Sequence, residues 1–404
     1  MGMSGKSLLV GVSGGIAAYK SAELVRSLVK CGASVQVVMT RNATHFITPL
    51  TLQVLSEQPV CLDLFDLEAE SQIGHIQAAR AAELIVVAPA TANIIAKMAA
   101  GIADDYLTTA ILAATAPVLV CPAMNVKMFE HPATQRNLGT LKDLGYHVLD
   151  PDVGSMACKE EGAGRLADLS KIMEKIQTLL TTPSLAGLKV LISAGPTWEP
   201  FDPVRFITNP SSGKMGFALA RVAARRAAEV HLVTGPVSLA PPSEVTLHRV
   251  VTAREMQHQI EELAAHMDVI IMSAAVGDYR PSQTAPQKVK KIEGRQEVVL
   301  EKNPDILLSL GRARKDSQCR VLVGFAAETE NLLENAREKL EKKNLDFIVA
   351  NNLTQRGSGF ATDTNQVKIL ERSGKILELP FMTKEEVAER IWDHVELFLE
   401  AKTS

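Results

Sequence analysis

The sequence predicts an α/β fold made of two Rossmann-like parallel-sheet domains, and three observations carry that expectation. Apolar strand-like runs alternate with amphipathic helical stretches from end to end, the pattern of parallel strands joined by helical crossovers. A strand feeding a glycine-bearing turn occurs twice, at Leu8–Val12 before Gly14-Gly15 and at Lys189–Ser193 before Gly195-Pro196. Finally, 404 residues are too many for one ordinary core. The breaker-rich stretch Thr181-Thr-Pro-Ser-Leu-Ala-Gly187 divides the chain into expected domains 1–182 and 187–404.

In the first half the strand candidates are Leu8–Val12, Val35–Met39, Leu84–Ala88, Val118–Cys121 and His147–Leu149. Helical periodicity fills the intervals, notably over Ile16–Lys30 and Thr91–Ala100, and Leu169–Leu180 reads as a closing helix. Pro151–Gly164 is rich in Gly, Asp and Glu without periodicity, and a mobile surface loop is expected there. In the second half the strands are Lys189–Ser193, Glu229–Thr234, Val269–Met272, Val321–Phe325 and Phe347–Ala350. Gln366–Glu371 and Ile376–Leu379 around Ser373-Gly374 read as a hairpin, and Lys384–Ala401 as a final helix. The openings of the two halves rhyme, but no repeat of fixed period is present.

Composition narrows the function. Hydrophobic residues make up 46% and charged residues 22%, the balance of a globular protein. A net charge of −3 and 4% aromatics give neither a basic footprint nor stacking platforms, which argues against nucleic acid as a partner. Apolar runs stay short of the roughly 20 residues a membrane span needs. The five cysteines, Cys31, Cys61, Cys121, Cys158 and Cys319, are scattered without CxxC spacing, so neither a disulfide framework nor a zinc site is expected. The N-terminus lacks the apolar core of a signal peptide, and a cytoplasmic location is the expectation.

Gly11-Val-Ser-Gly-Gly-Ile-Ala-Ala-Tyr-Lys20 follows a strand and opens a helix. Glycines there let backbone approach a phosphate, and the helix start offers free N–H groups. A structural tight turn accounts for the same glycines equally well. The second strand ends Val38-Met39-Thr40-Arg41, without the acidic residue that holds a dinucleotide ribose, so a mononucleotide such as FMN fits better than NAD. Ala88-Pro-Ala-Thr-Ala-Asn93 and Pro122-Ala-Met-Asn125 place polar loops at strand ends, where open sheets bind ligands. His75 stands at a helix start that would keep it neutral and basic, although an ordinary solvated residue is the commoner reading of a lone histidine. Cys158 lies on the glycine-rich loop, where a thiol is accessible; the other cysteines sit in or near apolar runs.

GVSGGIAAYK, the IGHI histidine, APATAN, GIADDYL, PAMN and the loop cysteine together resemble the flavin-dependent cysteine decarboxylases, in particular phosphopantothenoylcysteine decarboxylase, over about residues 5–180. The resemblance implies a flavodoxin-like flavoprotein (HFCD) domain. It implies FMN held by Gly11, Ser13, Gly14, Gly15, Thr40, Pro89, Thr91 and Asn93. His75 would be the base, Asn125 would orient the carboxylate that is lost, and Cys158 would return a proton. Lys159 departs from the glycine usual after that cysteine.

In the second half, Ser211-Ser-Gly-Lys214 leads into a helix and reads as a phosphate cradle, without Walker spacing; a capped helix with an incidental lysine is the competing reading. Ser273–Pro281 places Asp278 at a strand end, and Lys288-Val-Lys-Lys291 gathers three cations, which in isolation is most often a solvated loop. With AGPTWEPFDPVRFITNPSSGKMG, KNPDIL and GFAAET, these segments resemble phosphopantothenate–cysteine ligase of the bacterial, CTP-using kind over about residues 186–400. The resemblance implies a nucleotide-binding ligase domain that activates a carboxylate as an acyl-cytidylate. Asn209 would stabilise that intermediate and Lys288 would assist its capture by cysteine. Ser273, Ala274, Asp278, Lys288, Pro304, Asp305, Ile306, Phe325, Lys339 and Lys343 would bind CTP. Mg2+ is expected on the phosphates, with Asp278 as a candidate ligand.

The two resemblances name consecutive steps of coenzyme A biosynthesis, with the later step first in the chain. The expected partners are 4′-phosphopantothenate, cysteine and CTP, in a homo-oligomer. A flavin prenyltransferase or an NAD(P)-linked reductase is the rival enzyme, and a non-catalytic flavoprotein the rival binder. Cys158 with PAMN weighs against the prenyltransferase, Thr40-Arg41 against NAD, and Cys158 with KVKK against the binder.

Overall fold

The computed structural model describes residues 3–64, 74–155, 160–290, 297–314, 319–328, 330–352, 359 and 362–403. The chain divides into two compact units, Met1–Thr182 and Pro183–Ser404.

The first unit holds a five-stranded parallel sheet of β1 (Ser7–Val12), β2 (Ser34–Met39), β3 (Leu84–Ala90), β4 (Val118–Pro122) and β5 (His147–Val148). Its order is β2-β1-β3-β4-β5, so the chain reverses direction across the sheet between β1 and β3. In open parallel sheets that reversal opens a crevice at the carboxyl ends of the two strands. Every residue of β3 is buried, because both faces of a parallel sheet are covered and the strand is apolar throughout. Along β1, Leu8, Val10 and Val12 face one core cluster and Leu9 the other, the two-residue alternation of a strand. The expected helix from Ile16 starts as a single 3₁₀ turn, Ile16–Tyr19, and becomes α-helical at Lys20–Lys30.

The expected loop Pro151–Gly164 is corrected at its ends. β6 (Asp152–Ser155) and β7 (Glu161–Arg165) form an antiparallel ladder. Gly162 and Gly164 lie in it with φ of 155° and 141°, a backbone that other residues rarely adopt. A Cβ at Gly162 would also stand 2.5 Å from Val126 Cγ2. Glycine, not β-branched periodicity, makes this ladder, so its composition reads as loop.

The second unit starts with β8 (Lys189–Ala194), the small pair β9 (Trp198–Pro200) and β10 (Phe206–Thr208), then β11 (Glu229–Thr234), β12 (Val245–Arg249) and β13 (Val269–Met272). Another pair follows, β14 (Tyr279–Pro281) with β15 (Leu300–Lys302), before β16 (Val321–Glu328) and β17 (Phe347–Asn352). The last strands are β18 (Thr364–Asn365), β19 (Val367–Glu371), β20 (Ile376–Glu378) and β21 (Met382–Thr383). The main sheet has eight strands in the order β12-β11-β8-β13-β16-β17-β19-β20. Its first six are parallel, and β19-β20 add the expected hairpin antiparallel at one edge. The six parallel strands follow the dinucleotide-fold order, with the reversal between β8 and β13. Trp198 and Phe206 stack across β9 and β10 at 4.1 Å. Among the described residues no helix is long and apolar enough to cross a membrane.

Candidate functional site

The first reversal point carries a cavity of about 880 Å³. Its floor is built by the loops after β1 and β3, which Ser13 joins. The buried Ser13 hydroxyl donates to the Pro89 carbonyl at 2.7 Å and accepts from the Thr91 N–H at 3.0 Å. Thr91 caps the helix Ala92–Ala100, so the N-terminal N–H groups of that helix open beside the loop. Gly14 has an ordinary backbone, but a Cβ there would meet Asn42 Cβ at 2.5 Å and its carbonyl carbon at 2.7 Å. The glycine is needed for close approach between the β1 and β2 loops. Thr40 closes that side, and its Oγ1 is buried without a hydrogen-bond partner among the described residues. A buried hydroxyl without a partner is costly, which fits a ligand acceptor at this wall.

Ser13, Gly14, Gly15, Thr40, Thr91, Asn93 and Asn125 all line this cavity. Gly11 and Pro89 are placed beneath it instead. Gly11 pairs with Val38 and Val87 inside the sheet, and a Cβ would collide with Leu107. Pro89, which follows a cis peptide bond, contributes the carbonyl that Ser13 holds. Asn125 caps the helix Val126–Glu130 through Lys127 N–H at 2.8 Å, and its amide donates to Glu160. His75 is the second residue of the helix Gly74–Ala81; its side chain, like all of Cys158 and Lys159, lies outside the described residues. Cys121 is buried in β4 and its thiol is pushed up to about 12 by burial, which makes it inert. Sequence reading assigned no role to Lys97, Asp104 or Asp105, which also line the cavity and form ion pairs at 2.7 and 3.1 Å. The GIADDYL motif was the signal for Asp104 and Asp105; Lys97 lies in the preceding helix Ala92–Ala100.

The second reversal point carries a cavity of about 880 Å³ as well. Here the loops after β8 and β13 are laced together: Ala274 N–H donates to Ser193 Oγ at 3.1 Å, Ala275 N–H to the Gly195 carbonyl at 2.9 Å, and Gly277 N–H to Thr197 Oγ1 at 2.9 Å. Asn209 lies over this lacing and donates to the Ala275 and Val276 carbonyls, both at 3.2 Å. Gly213 precedes the helix Lys214–Arg225 with φ of 76°, which frees the helix start to face the cavity.

Asn209, Ser273, Ala274, Asp278, Pro304, Asp305, Ile306, Phe325, Lys339 and Lys343 line this space together. Asp305 caps the helix Ile306–Ala313 and pairs with Lys343 at 2.9 Å. Lys288 is the exception, since the structure places it outside the lining. Its neighbour Val289 is gripped at both backbone groups: the N–H donates to Asp202 at 3.2 Å, and the carbonyl accepts from Arg205 at 2.8 Å. The Arg205 guanidinium and three backbone N–H groups hold the Asp202 carboxyl well below the usual carboxylate range, against its burial. Lys214, Lys302 and Lys384 line the cavity too. Among the described residues no group of three His, Cys, Asp or Glu side chains is arranged to hold a metal ion.

Family models match both units: the description Flavoprotein over residues 2–181, and DNA/pantothenate metabolism flavoprotein C-terminal domain over residues 185–398. A Bacillus subtilis protein named coenzyme A biosynthesis bifunctional protein CoaBC is 45% identical over 397 residues, 97% of each chain. The chain belongs to this bifunctional coenzyme A biosynthesis family. An Escherichia coli protein of the same name is 46% identical over 98% of each chain. The crystal structure of a CoaBC C-terminal domain is 43% identical, covering 55% of this chain and all of that one, with a TM-score of 0.47. The protein is thus an enzyme of coenzyme A biosynthesis with a flavoprotein decarboxylase half and a ligase half.

Proposed function

We propose that the C-terminal half joins cysteine to 4′-phosphopantothenate with CTP, and that the N-terminal half decarboxylates the resulting 4′-phosphopantothenoylcysteine to 4′-phosphopantetheine with FMN. The observation that carries this reading is the pair of cavities, each at the reversal point of its own sheet, one floored by the Ser13 and Thr91 loops and the other carrying five lysines.

In the first cavity the residues fit a flavin mononucleotide. The loop Ser13–Gly15 lines the cavity, the helix start at Thr91 favours an anion, and Thr40 Oγ1 is buried without a partner among the described residues. When bound, FMN supplies the two-electron oxidation of the substrate thiol to a thioaldehyde and returns the electrons to the enethiol. The protein contributes position and protons. Asn125 orients the substrate carboxylate so that it leaves as CO2, His75 acts as base, and Cys158 returns the proton to the enethiol carbon.

In the second cavity the carboxylate of 4′-phosphopantothenate attacks the α-phosphate of CTP, forming the acyl-cytidylate and releasing pyrophosphate. The amine of cysteine then attacks the acyl carbon and CMP leaves. Asn209 stabilises the acyl-cytidylate, Lys288 assists its capture, and Asp278, Phe325, Lys339 and Lys343 hold the nucleotide. Asp278 is the candidate ligand for Mg2+, which is commonly bound by one or two carboxylates plus substrate phosphates. The enzyme acts in the cytoplasm as a homo-oligomer.

The test is one reaction containing 4′-phosphopantothenate, cysteine and CTP, followed for pyrophosphate and CO2. Pyrophosphate is expected first, with CO2 following it mole for mole. Pyrophosphate without CO2 would leave the N-terminal half a binder, and CO2 from added 4′-phosphopantothenoylcysteine without pyrophosphate would sink the ligase.

A further inference from the structure

The second cavity has a cationic end in which Lys214, from the Ser211–Lys214 loop, is joined by Lys384, a lysine that no motif assigns. Lys214 opens the helix Lys214–Arg225, Lys384 opens the helix Lys384–Thr403, and both line the cavity. Lys384 is only 6% exposed. Its Nζ donates to the Gly359 carbonyl, and its backbone N–H to the Asp363 carbonyl, both at 2.9 Å. Lys214 Nζ stands 2.6 Å from Asp363 Oδ1, but the Asp363 side chain is 87% exposed. An ion pair so open to water is weak, and a stronger anion can replace the carboxylate.

Burying a lysine is costly unless the site supplies an anion. Burial weighs most on the Lys384 amine, the like charge of Lys214 comes next and the attraction of Asp363 last, so the amine is pushed down to about 8. Packing imposes this position. Arg225 pairs with Glu385 and Arg226 with Glu389, both at 2.5 Å, and the Trp392 indole donates to the Leu219 carbonyl at 2.9 Å. These contacts lock the two helices together and hold Lys384 at the cavity wall. One ammonium group on an exposed carboxylate, with a second, buried one within reach of both charges, complements an anion that carries more charge than a carboxylate.

We infer that Lys214 and Lys384 form a phosphate-binding pair, with the Asp363 carboxylate standing where a phosphate oxygen binds. The inference rests on the ligase reading, in which both the nucleoside triphosphate and the phosphorylated acid bring phosphate to this cavity. The pair gives the Lys214 cradle a second cation, Lys384, from the far end of the chain.

The test titrates the full-length holoprotein with inorganic tripolyphosphate, CTP and 4′-phosphopantothenate, in wild type, Lys384→Met and Lys384→Arg. Lys384→Met should bind tripolyphosphate at least about tenfold more weakly, the loss of one charged hydrogen bond, while Lys384→Arg keeps most of the affinity. Without ligand, Lys384→Met should melt no lower than wild type, because a buried charge has been removed. A merely structural lysine would behave oppositely, with a lower melting temperature and unchanged affinity in the folded protein. Weaker CTP binding assigns the pair to the triphosphate, and weaker 4′-phosphopantothenate binding assigns it to the monoester. Unchanged affinity for all three anions in folded Lys384→Met overturns the inference. Lys384-dependent tripolyphosphate binding without turnover of either substrate would instead sink the ligase reading and leave the pair standing.

Discussion

The two cavities have the same volume and the same place in their sheets, and both mix glycines and hydroxyls with charged groups, yet in different arrangements. The first is floored by glycines and by hydroxyls already engaged with backbone, as Ser13 is with Pro89 and Thr91. The second is walled by Lys214, Lys302, Lys339, Lys343 and Lys384. Topology opens a crevice wherever strand order reverses, but it does not decide the ligand. Close backbone approach, hydroxyls and a few cations, of which Lys97 is paired with Asp104 and Asp105, suit a large, mostly uncharged ring system with one phosphate. A ring of ammonium groups suits a polyphosphate and a reaction in which pyrophosphate leaves.

The largest expected effect separates the two sites cleanly. Cys158→Ser should slow release of the reduced product by about 10²–10⁴-fold, the usual contribution of a positioned proton donor, while substrate still reduces the flavin and pyrophosphate release is unchanged. Stopped-flow absorbance of the flavin reads this, and normal turnover removes Cys158 from the mechanism. Next comes Lys288→Gln, which tests the one proposed residue that stands outside its cavity lining. Acyl-cytidylate should accumulate, with pyrophosphate released in a single burst and amide formation about 10²-fold slower. Steady amide formation at the wild-type rate would show that another lysine captures cysteine.

Gly14→Ala probes the material of the first cavity. The new Cβ meets Asn42 backbone, and overpacking of this kind costs roughly 1–3 kcal/mol. Flavin content and melting temperature should both fall, and retention of full flavin would show that the loop yields. The smallest effect concerns Asp202. Its carboxyl titrates below the unfolded value of about 3.9, so its stabilisation is complete above that pH and is lost as pH falls through the lower folded value. The sign is therefore acid-sensitive. Asp202→Asn should lose the part of the unfolding curve that depends on pH below about 4, measured by circular dichroism. An unchanged acid profile would mean the grip on Val289 is carried by Arg205.

The clearest strands in both are those buried on both faces. β3 and β13 are continuous apolar runs and β8 is nearly so, so their sequence is strand-like wherever it is read. β12 was not foreseen, because an edge strand with Thr246, His248 and Arg249 resembles a surface loop. β9, β10, β14 and β15 were not foreseen either, because three-residue strands are too short to show a period and exist only through their partners. The candidate sites divide along the same line. Loops after strands were legible, and they supply Ser13, Thr91, Asn125, Asn209 and Ser273. Gly11 was read as part of a phosphate loop, yet its absent side chain makes room for Leu107. Lys384 was read as the start of a helix, because nothing local to it mentions a cavity.

The amino-acid sequence by itself determined the alternation of strands and helices, the division near residue 182 and the glycine loops that follow β1 and β8. Those are local properties: apolar runs, breakers and backbone freedom act over a few residues. The tertiary structure alone decided which loops meet at each reversal point, that Lys288 is gripped away from the cavity lining, and that Lys214 and Lys384 share one wall. These depend on strand order and helix packing, which bring together residues that no local pattern connects.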